Sequence, residues 1–123
     1  MDSGIHDVFP VVLENNMVTM DEFMRINLCV GKIVSAELVP NKDKILKATV
    51  NVGSELRDII VGAAKYYAPS ELVGKTVVVC TNLTPKKMGN IISSGMLLAA
   101  EGVDGKPIFL TTSEEAPVGS VIR

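Results

Sequence analysis

Between residues 46 and 52 the chain reads Leu-Lys-Ala-Thr-Val-Asn-Val, an unbroken alternation in which Leu46, Ala48, Val50 and Val52 share one face and Lys47, Thr49 and Asn51 the other. Successive side chains of a strand point to opposite faces, so this period admits a half-buried β-strand and excludes a helix. Upstream, Leu28, Val30, Val34, Ala36 and Leu38 predict a first strand of the same kind, broken only by Lys32. Gly31 beside it predicts a bulge that turns Lys32 outward. The turn residues from Pro40 to Lys44 separate these two strands. Gly53-Ser54 then leads into a third, from Arg57 to Gly62, completing a meander.

From Ala63 to Gly74 the alternation stops, and Pro69, Ser70 and Glu71 predict a single helical turn closed by Gly74. Lys75 to Leu83 predicts a fourth strand and Met96 to Gly102 a fifth. Asp104-Gly105 is a hairpin signal leading to Pro107–Leu110, and Val121-Ile122 predicts a short terminal strand. Ahead of the strands, Thr19 and Glu22 match a capping box, with Met20, Phe23 and Met24 on one face of a short helix expected to plug one end of the domain. Three strands, a helical connection and two more strands is the order of an OB barrel. The expected fold is therefore all-β: a five-stranded OB-fold barrel over residues 17–123, with a short N-terminal helix, a helical turn between strands 3 and 4, and a C-terminal β extension. Residues 1–16 are acidic, their apolar piece Val8–Leu13 is broken by Pro10, and they read as a peripheral strand or an arm of unassigned role.

A chain of 123 residues suits one core. Its apolar runs are far shorter than the roughly 20 residues of a membrane span, and no signal peptide opens it, which predicts a soluble, cytoplasmic protein. A hydrophobic fraction of 47% in so small a domain predicts uncovered apolar surface and hence a homodimer. Cys29 and Cys80 lie in strand-like runs without metal-ligand spacing and read as buried thiols; His6, the single histidine, reads as a surface residue. With no nucleophile motif, phosphate loop or ligand cluster, the chain is expected to be no enzyme and to hold no cofactor or metal.

The formal net charge of −2 hides a polarised distribution. From Arg25 through Ala100 there are ten Lys/Arg against five Asp/Glu, and from Leu72 to Ala100 no carboxylate at all. Both loops that border the usual working surface of an OB barrel are basic: Pro40–Lys44 carries Lys42 and Lys44, and Asn82–Gly95 carries Lys86 and Lys87. A cationic surface of this kind suits a nucleic-acid partner of modest affinity. On charge alone, ordinary solvated barrel loops remain the favoured reading.

Several ordered blocks add to the charge: Val30-Gly31-Lys32-Ile33; Arg57 followed by Ile59, Ile60 and Gly62; Tyr67-x-Pro69-x-Glu71-Leu72-Val73-Gly74-Lys75; Asn82-Leu83-x-Pro85-x-Lys87-Met88; and Ser93-x-Gly95-Met96-Leu97-Leu98-Ala99-Ala100. Together, from about Phe23 to the C-terminus, they resemble the tRNA-binding domain appended to methionyl-tRNA synthetases, which also occurs as free-standing tRNA-binding proteins and in the endothelial-monocyte-activating polypeptide. The resemblance implies an OB-fold homodimer that binds tRNA through shape and backbone and helps a synthetase hold its substrate. It places the RNA surface at Asn82, Lys86, Lys87, Ser93 and Met96, with Lys32, Lys42, Lys44 and Arg57 in support.

The chemistry agrees in kind, since lysines neutralise phosphates and Asn82 and Ser93 can bond sugar or phosphate oxygens. Each residue also has a plainer role open to it: Asn82 as a loop cap, Ser93 as partner of a turn amide, and Met96 as core packing, which is the favoured role there. No aromatic residue lies in a basic loop, which favours a folded RNA over unstructured single strands. The chain departs from the family's usual residues at Cys29, where a basic residue is common, and at Gly89, Ile92 and Ser94. Two other classes stay open: an OB-fold dimer acting as an export-related chaperone for unfolded peptides, and an assembly subunit that docks on a synthetase without RNA.

Overall fold

In the computed structural model, residues 16–123 are described, so the expectations for His6 and most of the 1–16 segment lie outside the described residues. Strands β1 (Leu28–Val39), β2 (Lys42–Asn51) and β3 (Leu56–Val61) form the expected antiparallel meander. A turn of helix, α2 (Pro69–Leu72), precedes β4 (Thr76–Cys80), which returns to pair with the first half of β1. β2 behaves as its alternation dictates: Leu46, Ala48, Val50 and Val52 are all buried against Ile59 and Val61 of β3 and Val77 and Val79 of β4. α2 begins at Pro69, its Ala68 amide bonded to Glu71 Oε1 at 2.7 Å, and drives Leu72 into that core.

The first strand corrects the sequence reading. Leu28, Val30, Val34, Ala36 and Leu38 do not share a face; the register with β2 shifts between Ile33 and Ser35, three residues beyond the expected bulge. Ile33 is wholly buried, whereas Val34 and Leu38 are 43% and 61% exposed. Gly31 lies where β1 crosses the core: a β-carbon there would sit 2.7 Å from Val79 Cγ2 and 2.9 Å from Val50 Cγ1. Glycine serves close approach here, and the extra residue at Val34 resets the parity so that Ala36 again packs on the core. Lys32 is exposed as expected. Val30, Val78 and Cys80 are buried outside the core cluster, and form a second apolar layer on the outer face of the β1–β4 pair.

The barrel closes differently along its last seam. The stretch Asn82–Gly95 is more ordered than a loop: it folds into a hairpin of β5 (Lys86–Met88) and β6 (Ile91–Ser93). The expected fifth strand is split into β7 (Met96–Leu97), paired with β4, and β8 (Ala99–Glu101), paired with β9 (Pro107–Phe109). Between β8 and β9, Asp104 and Gly105 both take positive φ, as their hairpin signal requires. β10 (Val121–Ile122) adds to the start of β1 at Leu28 and Cys29. No β-ladder joins β3 to β6 or β7. Instead the Ser94 amide donates to Asp58 O at 2.9 Å and the Ile60 amide donates to Ser93 Oγ at 2.9 Å.

The N-terminal helix, α1 (Met20–Phe23), has its capping box, with Glu22 N donating to Thr19 Oγ1 and Thr19 N to Glu22 Oε1. It plugs nothing: α1 buries no residue, and Met17, Val18, Met20, Phe23, Met24 and Ile26 are exposed. Four residues present too narrow an apolar stripe to reach a core already filled by α2.

Candidate nucleic-acid interface

Alternation within β5 sends its two lysines to opposite faces of the hairpin. Lys86 shares a face with Met88 and lines a groove of about 500 Å³ between the hairpin and the barrel seam, together with Ile60, Leu83, Thr84, Ser93, Gly95 and Met96. Lys87 pairs across the ladder with Ile92 on the other side. Both lysines are exposed, and among the described residues neither lies within ion-pair distance of a carboxylate. Among the described residues, Lys86 is the only charged one lining that groove.

Three of the expected site residues are engaged in structural hydrogen bonds, two of them, Arg57 and Ser93, across the seam. Arg57 donates from Nη1 to Thr81 O at 2.6 Å and, more weakly, to Ser94 O at 3.3 Å, while Glu55 Oε2 takes its Nε and Nη2 at 2.9 and 2.7 Å. Ser93 is buried, accepting from the Ile60 amide and facing Gly95 O at 3.4 Å. Asn82 accepts from the Asn27 amide at 2.8 Å and donates to Arg25 O at 2.6 Å, so its carboxamide ties residues 25–27 to the end of β4. Met96 is 48% exposed, against the core packing favoured from sequence; it forms the ridge between the Lys86 groove and a second one, of about 590 Å³, that reaches Phe23, Ile26 and Leu28.

The remaining candidates stand apart from these grooves. Lys32 lies on β1 between Asn51 and Thr76, and Lys42 and Lys44 open β2, all three exposed. Ile60, Leu83, Thr84 and Met88 line the Lys86 groove and were not singled out from sequence. For Ile60 the signal was an apolar residue where alternation asks for a polar one, between the buried Ile59 and Val61. Near the seam, burial pushes the Cys29 thiol above its ordinary pKa, an effect the Arg57 guanidinium partly offsets. Among the described residues no group of three His, Cys, Asp or Glu is placed to hold a metal, and no helix is long and apolar enough to cross a membrane.

Compared with known protein families, residues 28–121 match the model described as "Putative tRNA binding domain". The chain belongs to that family. A methionine–tRNA ligase of Methanospirillum hungatei is 51% identical over 106 residues, which are 86% of this chain and 16% of the ligase. The chain thus spans less than a fifth of the ligases it resembles; it covers 18% of the Thermotoga maritima enzyme. Among solved structures, a MetRS-related protein from Pyrococcus horikoshii superposes with a TM-score of 0.80 at 37% identity, covering 87% of this chain and 98% of that one. The CsaA chaperone protein of Picrophilus torridus superposes with a TM-score of 0.79 at 25% identity, covering 87% and 100%. An OB-type barrel carrying this domain's sequence is therefore common to several proteins of different names.

Proposed function

We propose that this chain is a non-catalytic module that binds tRNA by shape and phosphate backbone and assists a methionyl-tRNA synthetase in the cytoplasm. The observation that carries the reading is the family match over residues 28–121, on a barrel whose β5–β6 hairpin projects two lysines without carboxylate partners among the described residues. Lys86 and Lys87, on opposite faces, suit phosphates on both sides of the hairpin; exposed Lys32, Lys42 and Lys44 add positive charge away from it. The synthetase link is supported by the ligase relatives. Arg57 and Ser93 act chiefly by holding the seam from which the hairpin projects, and Asn82 by tying residues 25–27 to the end of β4. The exposed apolar surface of residues 17–26 suits a second copy of the chain, making the active form a homodimer.

A direct test is a titration against unfractionated tRNA, a short unstructured RNA and a duplex DNA of equal length at several salt concentrations. Binding is expected to be strongest for tRNA and to weaken steeply with salt. The Lys86→Ala/Lys87→Ala variant should flatten the salt slope by up to about two phosphate contacts. Equal affinity for tRNA and DNA, with an unchanged slope in the variant, would sink the proposal.

One observation favours a second reading, a chaperone for unfolded peptides: the Lys86 groove is walled mainly by Ile60, Leu83, Met88 and Met96, and the CsaA fold is shared. In that case an apolar peptide would bind with little response to salt.

A further inference from the structure

The groove beside Lys86 has a chemistry that phosphate neutralisation leaves unused. Among the described residues its lining carries the apolar side chains of Ile60, Leu83, Met88 and Met96, one cation, Lys86, and the Thr84 hydroxyl. About 500 Å³ is within the range of small-ligand sites, and far more than a phosphate group needs. Thioethers make favourable contacts with aromatic rings, so two methionines lining one groove can receive a flat ring without an aromatic platform. Apolar walls, a hydroxyl and an ammonium in one groove suit the three parts of a nucleotide: base, ribose, phosphate.

We propose that this groove receives one unpaired nucleobase of a structured RNA, held between Met88 and Met96, with Lys86 on the adjoining phosphate. The inference rests on the RNA-binding reading above and names the part of the RNA that this site takes. Two features favour a nucleotide over an extended peptide. A peptide added as a strand needs free backbone donors along the wall. Here the Ile60 amide of that wall is already given to Ser93 Oγ. Among the described residues the only charge lining the groove is the Lys86 ammonium, and no carboxylate occurs anywhere from Leu72 to Ala100. With no aromatic residue in a basic loop, a run of stacked bases finds no platform there, but one extruded base has a seat.

The experiment is methyl NMR of the full chain, with carbon-13 in the methionine methyl groups, on adding unfractionated tRNA. A base against Met88 and Met96 should move those two methyl signals upfield by ring current, with smaller changes at Met17, Met20 and Met24. Alongside, the Met88→Gln/Met96→Gln variant, checked for an unchanged fold by its amide spectrum, should bind tRNA roughly tenfold more weakly with an unchanged salt slope, because a base contact and no phosphate contact is lost. Lys86→Ala should instead flatten the slope by about one contact. If tRNA binds with its salt dependence intact but the Met88 and Met96 methyls stay still and the glutamine variant binds like the parent, the base seat is wrong and the RNA-binding reading survives. If tRNA does not bind at all, both fall. If an unfolded apolar peptide moves these methyls and tRNA does not, the groove belongs to a peptide.

Discussion

The two sides of this barrel are closed by different means. Along β4–β1–β2–β3, strands pair through continuous backbone ladders over a core of wholly buried Ile33, Leu46, Val50, Ile59, Val77 and Val79. Between β3 and the β6–β7 segment there is no ladder, and closure rests on Ser93 Oγ, the Ser94 amide and the Arg57 guanidinium. A ladder leaves its strands nothing to do but pack. A seam closed by a few side chains leaves neighbouring positions free to face outward, and it is there that the basic hairpin and its groove are found. Two residues suspected of touching RNA, Arg57 and Ser93, turn out to hold that open side in place, while Asn82 ties residues 25–27 to the end of β4.

The contrast can be broken most forcibly from the core. Ile59→Ala or Leu46→Ala should cost about 2–5 kcal/mol in chemical denaturation, since each removes a fully buried side chain from packing that cannot fully collapse. Gly31→Ala comes next, at about 1–3 kcal/mol, because its methyl would meet Val79 and Val50 inside contact distance. On the seam, Ser93→Ala leaves the Ile60 amide without its partner and should cost about 1–3 kcal/mol. It should also speed amide exchange at Ile60 more than at the ladder amides of β2. A uniform rise in exchange across both regions would show that seam and ladder open as one unit, and the contrast would lose its meaning.

Smaller effects sharpen it further. Lys86→Ala and Lys87→Ala should each change stability by less than about 0.5 kcal/mol, as exposed residues without partners do. Any effect of these two should appear in the salt dependence of RNA binding instead. The smallest is at Cys29, where alkylation by iodoacetamide should follow a thiol pKa above the ordinary value. Because the folded state holds that proton more tightly than the unfolded chain, the associated stability is present below the unfolded thiol pKa and declines as pH rises through the folded one. In Arg57→Met, the offsetting guanidinium is gone and the pKa should rise further; an unchanged alkylation profile would show that the charge does not reach the thiol.

Much of the architecture was legible in local pattern. The alternation from Leu46 to Val52, the capping box of Thr19 and Glu22, the helical turn at Pro69 and the Asp104-Gly105 hairpin are each set by residues within a few positions of one another. Where the pattern misled, a distant contact was responsible. Gly31 looked like a bulge because only the sequence neighbours of a glycine are visible; the reason for it is Val50 and Val79, brought over it by other strands. The candidate site divides in the same way. Lys86 and Lys87 announced themselves by charge, but that they face opposite sides of a hairpin needs the pairing of Lys86 with Ser93 and Lys87 with Ile92.

The sequence by itself determined the strand order, the core face of β2 and the location of unopposed positive charge, since periodicity and charge are properties of neighbours along the chain. Only the tertiary structure decided the duties of the polar side chains. A hydroxyl at Ser93 or a guanidinium at Arg57 is equally able to meet an RNA oxygen or a backbone group, and which it meets depends on what folding places within about 3 Å of it.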